Sequence, residues 1–338
     1  MIRRTTTAAL TTACAALLLT ACGQTTTATE TDKSPKSASA GCEGVKTSTG
    51  PVSLTDAYGN KVELDKPASR VAVLEWQQTE DLLSLCMDPV AVADAKGYRT
   101  WDSAEELGKD ATDVGLRGEP NLETLFGTDP DLIIVEAYTP DDEILKQLAK
   151  YDVPVLATKG ADAKDPVGNM VTTFEMIAEA TGREARAEDV VGDFEDKLAA
   201  SKKAVADADA AGTEFVYYDG SIDGANVAIR PFGQGSLIGE LGEEIGLKNA
   251  WTGEVDPAYG LGQTDIEGMT TVGDATFFHT GTVDPAGDIN AELAKNKAWK
   301  SIPAVSEDRT HAFPERIWTF GGPRSAEQVL DAYVDLLK

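Results

Sequence analysis

The sequence predicts an α/β protein of two similar lobes joined by a single long helix, and three observations carry that prediction. First, NLETLFGTDPDLIIV (residues 121–135) and DIEGMTTVGDATFFH (265–279) align without a gap, with Glu123 on Glu267 and Leu125 on Met269. Each opens with a residue whose side-chain oxygen suits a helix N-cap. Each closes in the apolar, β-branched or aromatic run expected of a strand covered on both faces. Second, short apolar runs alternate with helical stretches, the rhythm of parallel βαβ units. Third, REARAEDVVGDFEDKLAASKKAVADA carries Ala187, Val190, Val191, Phe194, Leu198 and Val205 at three- and four-residue spacing, the mark of a helix with one buried face. About 25 residues at 1.5 Å rise give roughly 37 Å, enough to cross from lobe to lobe. Two such lobes enclose a cleft, and clefts of this kind favour small ligands.

VSLTDAYGNKVELDKP (52–67) alternates around Gly59-Asn60 and predicts a β-hairpin. RVAVLEW supplies a buried strand, Thr79 to Met87 a helix, and PVAVAD, LIIVEA and VPVLAT further strands. A helix opening at Asp165-Pro166 ends near Gly182. The second half restarts with EFVYYDG and continues through VAIRPFG, a helix from about Ser236, the second repeat copy and a closing helix over Ser325 to Leu337. This places the lobes at 47–182 and 209–338, with the connecting helix over 183–208.

The N-terminus reads as an export signal over residues 1–21. Arg3 and Arg4 precede an apolar stretch from Ala8 to Leu19 that is too short to span a bilayer. Leu19-Thr20-Ala21-Cys22 resembles a bacterial lipobox, which makes Cys22 the expected site of acylation and the lipid anchor to the cell membrane. Residues 22–46 hold almost no large apolar side chain and read as a flexible tether. Of four cysteines, Cys42 and Cys86 remain for the folded part, either paired in an oxidising compartment or left as thiols.

The net charge of −27 argues against a nucleic-acid partner, which requires a basic footprint. Two histidines in the chain, His279 and His311, argue against an imidazole-built metal site. No G-x-S-x-G, S-x-x-K, H-E-x-x-H or P-loop pattern is present, so no catalytic role is expected. GQGSLIG (233–239) lacks both a lysine and G-x-G-x-x-G spacing and reads as a turn capped by Ser236. Aromatics are more informative: Trp76, Trp101, Tyr138, Tyr259 and Trp318 fall at predicted strand ends or loops, and Arg117 just ahead of the first repeat copy.

Taken together, RVAVLEW, VAVADAKGYRTW, DVGLRGEPNLETLFGTDPDLIIVEAY, NAWTGEVDPAYG and AWKSIPAVSEDRTHAFPERIWTFGGPRSA resemble the iron-siderophore-binding proteins of ABC importers, and most nearly the ferric-hydroxamate receptors. The likeness runs from about Val52 to the C-terminus. It implies the class III periplasmic-binding-protein fold, two Rossmann-like lobes on one long helix, and a monomeric extracytoplasmic receptor without a cofactor of its own. It further implies that Trp101 and Tyr138 form aromatic walls on the first lobe with Arg117 between them, beside Trp76, and that Tyr259 and Trp318 face them from the second. Thr319 departs from an aromatic in that pattern, with Phe320 next to it. Glu123 and Glu267, one per lobe, are implied to meet arginines of an ABC permease served by a cytoplasmic ATPase; read from the residues alone, they are N3 positions of capped helices. Arg117 offers a fork of charged donors to hydroxamate oxygens, and the aromatic rings cover alkyl chains. A tris-catecholate would ask for several cations, for which Arg99, Arg230, Arg316 and Arg324 lie near cleft segments. Haem or cobalamin is the other cargo to weigh, and a secreted hydrolase on a two-lobed scaffold the reading from a different class.

Overall fold

The structure, a computed structural model, describes residues 41–223, 226–281 and 288–338. The expected export signal, Cys22 and the tether up to residue 40 lie outside the described residues. β1 (Val52–Thr55) and β2 (Lys61–Leu64) form the expected antiparallel hairpin. Asp56 closes its turn by accepting from the amides of Tyr58 and Asn60, with Gly59 at φ +86°, a region glycine enters without penalty.

The first sheet consists of β3 (Val71–Val73), β4 (Ala91–Val92), β5 (Thr112–Asp113), β6 (Leu132–Glu136) and β7 (Val155–Thr158). All are parallel, in the spatial order β5-β4-β3-β6-β7. Helices α1 (Trp76–Ser84), α2 (Ala95–Trp101), α3 (Leu122–Gly127) and α4 (Glu143–Leu148) alternate with these strands. β3, β4, β6 and β7 are buried on both faces, and β5 forms a partly exposed edge. Val71, Val73, Leu132 and Ile134 pack with the hairpin and with Phe174 and Ile177, whereas Ala72, Ile133 and Val135 pack with Leu125 and Leu148. The first helix begins at Trp76 rather than at Thr79, because the Glu75 side chain takes the Trp76 amide; Cys86, at φ +63°, lies just beyond its end.

α5 (Pro166–Thr181) starts on the Asp165 cap with proline in its first turn and ends at Gly182 in left-handed conformation, as the sequence predicts. α6 (Glu184–Asp207) follows over 24 residues. Its apolar stripe changes partners along its length: Ala187 and Val190 belong to the core of the first sheet, and Phe194 and Val205 to that of the second. α5 shares this bridging, since Phe174 and Ile177 face the first core and Met170 the second.

The second sheet is formed by β8 (Glu214–Asp223), β9 (Asn226–Phe232), β10 (Lys248–Asn249), β11 (Thr276–Gly281) and β12 (Thr310–Glu315). Four of its strands are parallel in the order β10-β8-β11-β12, and β9 returns antiparallel along β8. Its helices are α7 (Leu237–Glu244), capped by Ser236, then α8 (Ile266–Met269), α9 (Ile289–Leu293), α10 (Lys297–Lys300), α11 (Pro303–Ser306) and α12 (Pro323–Leu336). The repeat holds at the level of structure. Asn121 caps α3 and Asp265 caps α8, and the strands that follow, β6 and β11, each pair with the first strand of their own sheet. Glu123 and Glu267 are exposed and occupy the second helical position, not the third, so neither completes a capping box.

Cys42 and Cys86 are disulfide-bonded with 5.5 Å between their Cα atoms. The closed loop of about 44 residues corresponds to roughly 4 kcal/mol of restricted unfolded-chain entropy, and it ties the end of the tether to the first lobe.

α1 is polar in sequence yet buried throughout, because it forms a joint with the second lobe. Glu80 accepts from the amides of Gly322 and Ser325 (3.1 and 2.9 Å) and from the Ser325 hydroxyl (2.6 Å), at the positive end of α12. Gly322 is required at this contact, since a Cβ there would come within 2.0 Å of Asp81 Oδ1. Burial pushes the carboxyls of Glu80, Asp81 and Asp102 upward, and that of Glu105 up to about 7. Asp81 has no hydrogen-bond partner for either oxygen, so nothing offsets the burial that favours its neutral form. The neighbouring Glu80 adds to the upward push that burial exerts on Asp102.

These groups bind a proton more tightly in the fold than in the unfolded chain. Their contribution therefore lowers stability as pH rises from the ordinary carboxyl range through their folded values. Thermal unfolding is expected at a higher temperature at pH 5.5 than at pH 8, and Asp81→Asn, neutral and nearly isosteric, is expected to flatten that slope. A midpoint that rises across the same interval contradicts the assignment.

Candidate functional site

A parallel sheet offers a ligand the crevice beyond the carboxyl ends of its strands, at the point where strand order reverses. In the first sheet that point lies between β3 and β6, in the second between β8 and β11. The residues beyond these ends include those the sequence singles out. Glu75 and Trp76 follow β3, Trp101 closes α2 after β4, Arg117 follows β5, and Glu136 and Tyr138 stand at the end of β6. From the other side come Asp219 of β8, Arg230 of β9, Tyr259 from the segment between β10 and α8, and Trp318 and Phe320 after β12. Trp76 and Trp101 are thus the first residue of α1 and the last of α2 rather than loop residues.

Two adjoining cavities result. One, of about 290 Å³, is lined by Trp76, Trp101, Arg117, Trp318 and Phe320 together with Tyr218, Arg230 and Asn290. The other, of about 380 Å³, is lined by Glu75, Glu136, Tyr138, Tyr259 and Leu261, and shares Arg117, Arg230, Trp318 and Phe320 with the first. The structure brings all six expected ligand-binding residues to these cavities, with Arg117 on the wall common to both. Trp76 is 5% exposed and forms a floor, whereas Tyr138, 72% exposed, stands at the rim.

Aromatic contacts cross from lobe to lobe. Trp76 meets Trp318 edge-on with centroids 4.7 Å apart, and Tyr138 lies 6.0 Å from Tyr259. Phe320 touches both Trp318 (5.3 Å) and Tyr259 (5.8 Å), so it supplies the ring that Thr319, buried beside it, does not. The guanidinium of Arg117 stacks 3.9 Å from the Trp76 ring and 5.7 Å from Trp318 while pairing with Glu75. Arg230 takes Asp219 through both Nε and Nη2. Tyr259 donates its hydroxyl to Glu136 at 2.5 Å, a charge-assisted bond across the cleft. Burial and the neighbouring Glu75 push the Glu136 carboxyl up to about 7, against the pull of the Tyr259 hydroxyl and Arg117.

Glu75, Glu136 and Asp219 are functional-site residues that the sequence analysis did not single out. The available signal was a carboxylate ending an otherwise apolar strand, LIIVE, and VAVLE in the equivalent place. Among the four arginines named near cleft segments, Arg230 lines the cavities. Arg99 and Arg316 are turned to backbone carbonyls of the first lobe, and Arg324 to Asp193 and Glu327. His279 is engaged with Asn290 and the Thr280 carbonyl, and burial lowers its pKa. Among the described residues no group of three or more His, Cys, Asp or Glu is arranged to hold a metal ion.

A protein-family model described as periplasmic binding protein matches residues 71–316. The chain belongs to that family. This binding protein is 30% identical over 262 residues to the iron(3+)-hydroxamate-binding protein FhuD of Escherichia coli, covering 76% of the present chain and 83% of FhuD. Among solved structures it resembles the siderophore-binding protein FhuD of Vibrio cholerae with bound Fe3+–Desferal, at a TM-score of 0.67 and 22% identity, covering 80% of this chain and 97% of that one. It equally resembles the triscatecholate siderophore-binding protein FeuA of Bacillus subtilis in complex with ferri-bacillibactin, at a TM-score of 0.67 and 19% identity, covering 84% and 97%. These likenesses establish the two-lobed α/β fold, and family membership makes this binding protein a receptor rather than an enzyme.

Removing the Tyr259 hydroxyl tests the interlobe contact. Tyr259→Phe keeps the ring but forfeits a bond to a charged group worth about 1.5–3 kcal/mol. A larger radius of gyration by solution scattering and easier acrylamide quenching of tryptophan are expected in the ligand-free variant; values identical to wild type contradict a latch at this position.

Proposed function

We propose that this binding protein is an extracytoplasmic receptor, lipid-anchored through Cys22, that captures a ferric siderophore of the hydroxamate type and delivers it to an ABC permease with its cytoplasmic ATPase. The observation that carries the reading is the placement of Arg117, a planar charged donor on the wall between two cavities that share the Trp318 and Phe320 rings. A hydroxamate complex already fills the six positions of its iron, so what remains to be recognised is a set of oxygens surrounded by alkyl chain. A guanidinium meets the first requirement and Trp76, Trp101, Trp318, Tyr138 and Tyr259 the second. The receptor adds no metal ligand and no cofactor, and it works as a monomer. The likeness to a hydroxamate-binding relative at 30% identity agrees with this cargo.

Delivery is assigned to Glu123 and Glu267. They are exposed, stand at equivalent positions of the internal repeat, and open the helices that lead into β6 and β11. One carboxylate per lobe suits a pair of arginines on a membrane partner.

Calorimetric titration with ferrichrome is expected to show Arg117→Ala binding roughly 10- to 100-fold more weakly than wild type, the range for a lost charge-assisted hydrogen bond. Unchanged affinity contradicts the cargo assignment. In cells, Glu123→Ala combined with Glu267→Ala is expected to abolish siderophore-dependent iron uptake while ferrichrome affinity of the purified receptor persists, and normal uptake removes the docking role.

A further inference from the structure

The charges of the cleft are arranged unevenly. Both of its arginines already have carboxylate partners: Arg117 is paired with Glu75, and Arg230 is held by Asp219 in a two-point contact. Glu136 is different. It lines the cavity that also holds Glu75, Tyr138 and Tyr259, and its hydrogen-bond donor from the second lobe is the neutral Tyr259 hydroxyl. Among the described residues no lysine, arginine or histidine forms an ion pair with it. The cavities are lined by carboxylates of Glu75, Glu136, Asp219 and Asp288 against the two arginines, so acids outnumber bases where the ligand enters.

We propose that Glu136 is a specificity-determining residue whose carboxylate is the counter-charge for a cationic group carried by the ferric hydroxamate complex, and that it biases the cleft against polyanionic complexes. The inference rests on the hydroxamate reading above and specifies the charge of its ligand. The two cavities have separate parts in it. The aromatic cavity of Trp76, Trp101 and Trp318 covers alkyl chain, Arg117 on the shared wall meets the hydroxamate oxygens, and an ammonium-bearing arm lies in the acidic cavity against Glu136 and under the Tyr138 and Tyr259 rings. Those rings add their own attraction for an ammonium group. A tris-catecholate with three negative charges meets the opposite situation: to reach Arg117 it must compete with Glu75, and it brings its charge up to an unpaired acid. Selection then comes from a repulsive element as well as an attractive one.

The test compares three ferric complexes by titration at fixed low ionic strength: ferrioxamine B, which carries a free ammonium group, its N-acetylated form, which is neutral, and a tris-catecholate complex. Wild type is expected to bind ferrioxamine B at least fivefold more tightly than the acetylated form, and in Glu136→Gln that ratio is expected to fall to within twofold of one. Because Glu75→Gln releases Arg117 and removes an acid, it is expected to strengthen tris-catecholate binding at least fivefold. Equal wild-type affinity for the two hydroxamate complexes, or a ratio unaltered in Glu136→Gln, overturns the role of Glu136 and leaves the hydroxamate reading standing. Failure of both hydroxamate forms to bind, with tight capture of the tris-catecholate, overturns the hydroxamate reading itself.

Discussion

Both sheets bury their central strands from two sides, and this constraint governs where the protein can present chemistry. The faces of β3, β6, β8 and β11 are consumed by core packing, with Val71, Ile133, Phe215 and Phe277 fully enclosed. Only the strand ends remain, and the reversal of strand order in each sheet opens a crevice at one of them. Loops from both lobes converge on the crevices, so residues far apart in sequence, such as Trp76 and Trp318, come into ring contact. The internal repeat reflects the same constraint: a capped helix leading into the strand beside the switch point is needed once per lobe, and both copies keep the acid near the helix start.

The lobes are held by more than a connecting helix. α6 changes from one core to the other along a single apolar stripe, and α5 does the same at its opposite end. The buried joint between α1 and the start of α12 adds a polar contact, in which Glu80 gathers three donors from the second lobe. Such an arrangement allows small changes in the angle between lobes and resists large ones, because opening widely would strip Glu80 of its donors inside a low-dielectric joint. The cleft contacts, Trp76 with Trp318 and Tyr259 with Glu136, join the lobes at a second place.

Legibility in the sequence followed the strength of each physical signal. The hairpin, the α5 boundaries, the α6 stripe and the repeat all rest on periodicity or capping and appear in the structure as read. α1 starts three residues earlier than its apolar period predicts, because such an argument cannot see that Glu75 reaches its neighbour's amide. α2 gives no such signal, since it is short and its cap, Asp94, adopts a left-handed conformation. The aromatic residues and Arg117 were visible as outliers in strand-end segments. Glu75, Glu136 and Asp219 were not, because in a chain with 57 acidic residues a carboxylate carries no distinguishing mark until the fold shows which ones are turned inward. The disulfide was one of two open alternatives and depended on geometry that the spacing of Cys42 and Cys86 alone does not contain.

Three of the five tryptophans, Trp76, Trp101 and Trp318, line the cleft, whereas Trp251 and Trp299 are buried in the core of the second lobe. Fluorescence is therefore a direct report on occupancy. The measurement that tests the central claim is a tryptophan-fluorescence titration of the mature receptor with ferrichrome, ferrioxamine B, a ferric tris-catecholate and haemin in parallel. Saturable quenching by the hydroxamates at sub-micromolar concentration, with a smaller amplitude in Trp318→Phe, is the predicted result. A response confined to the tris-catecholate or haemin, or none at all, would contradict it.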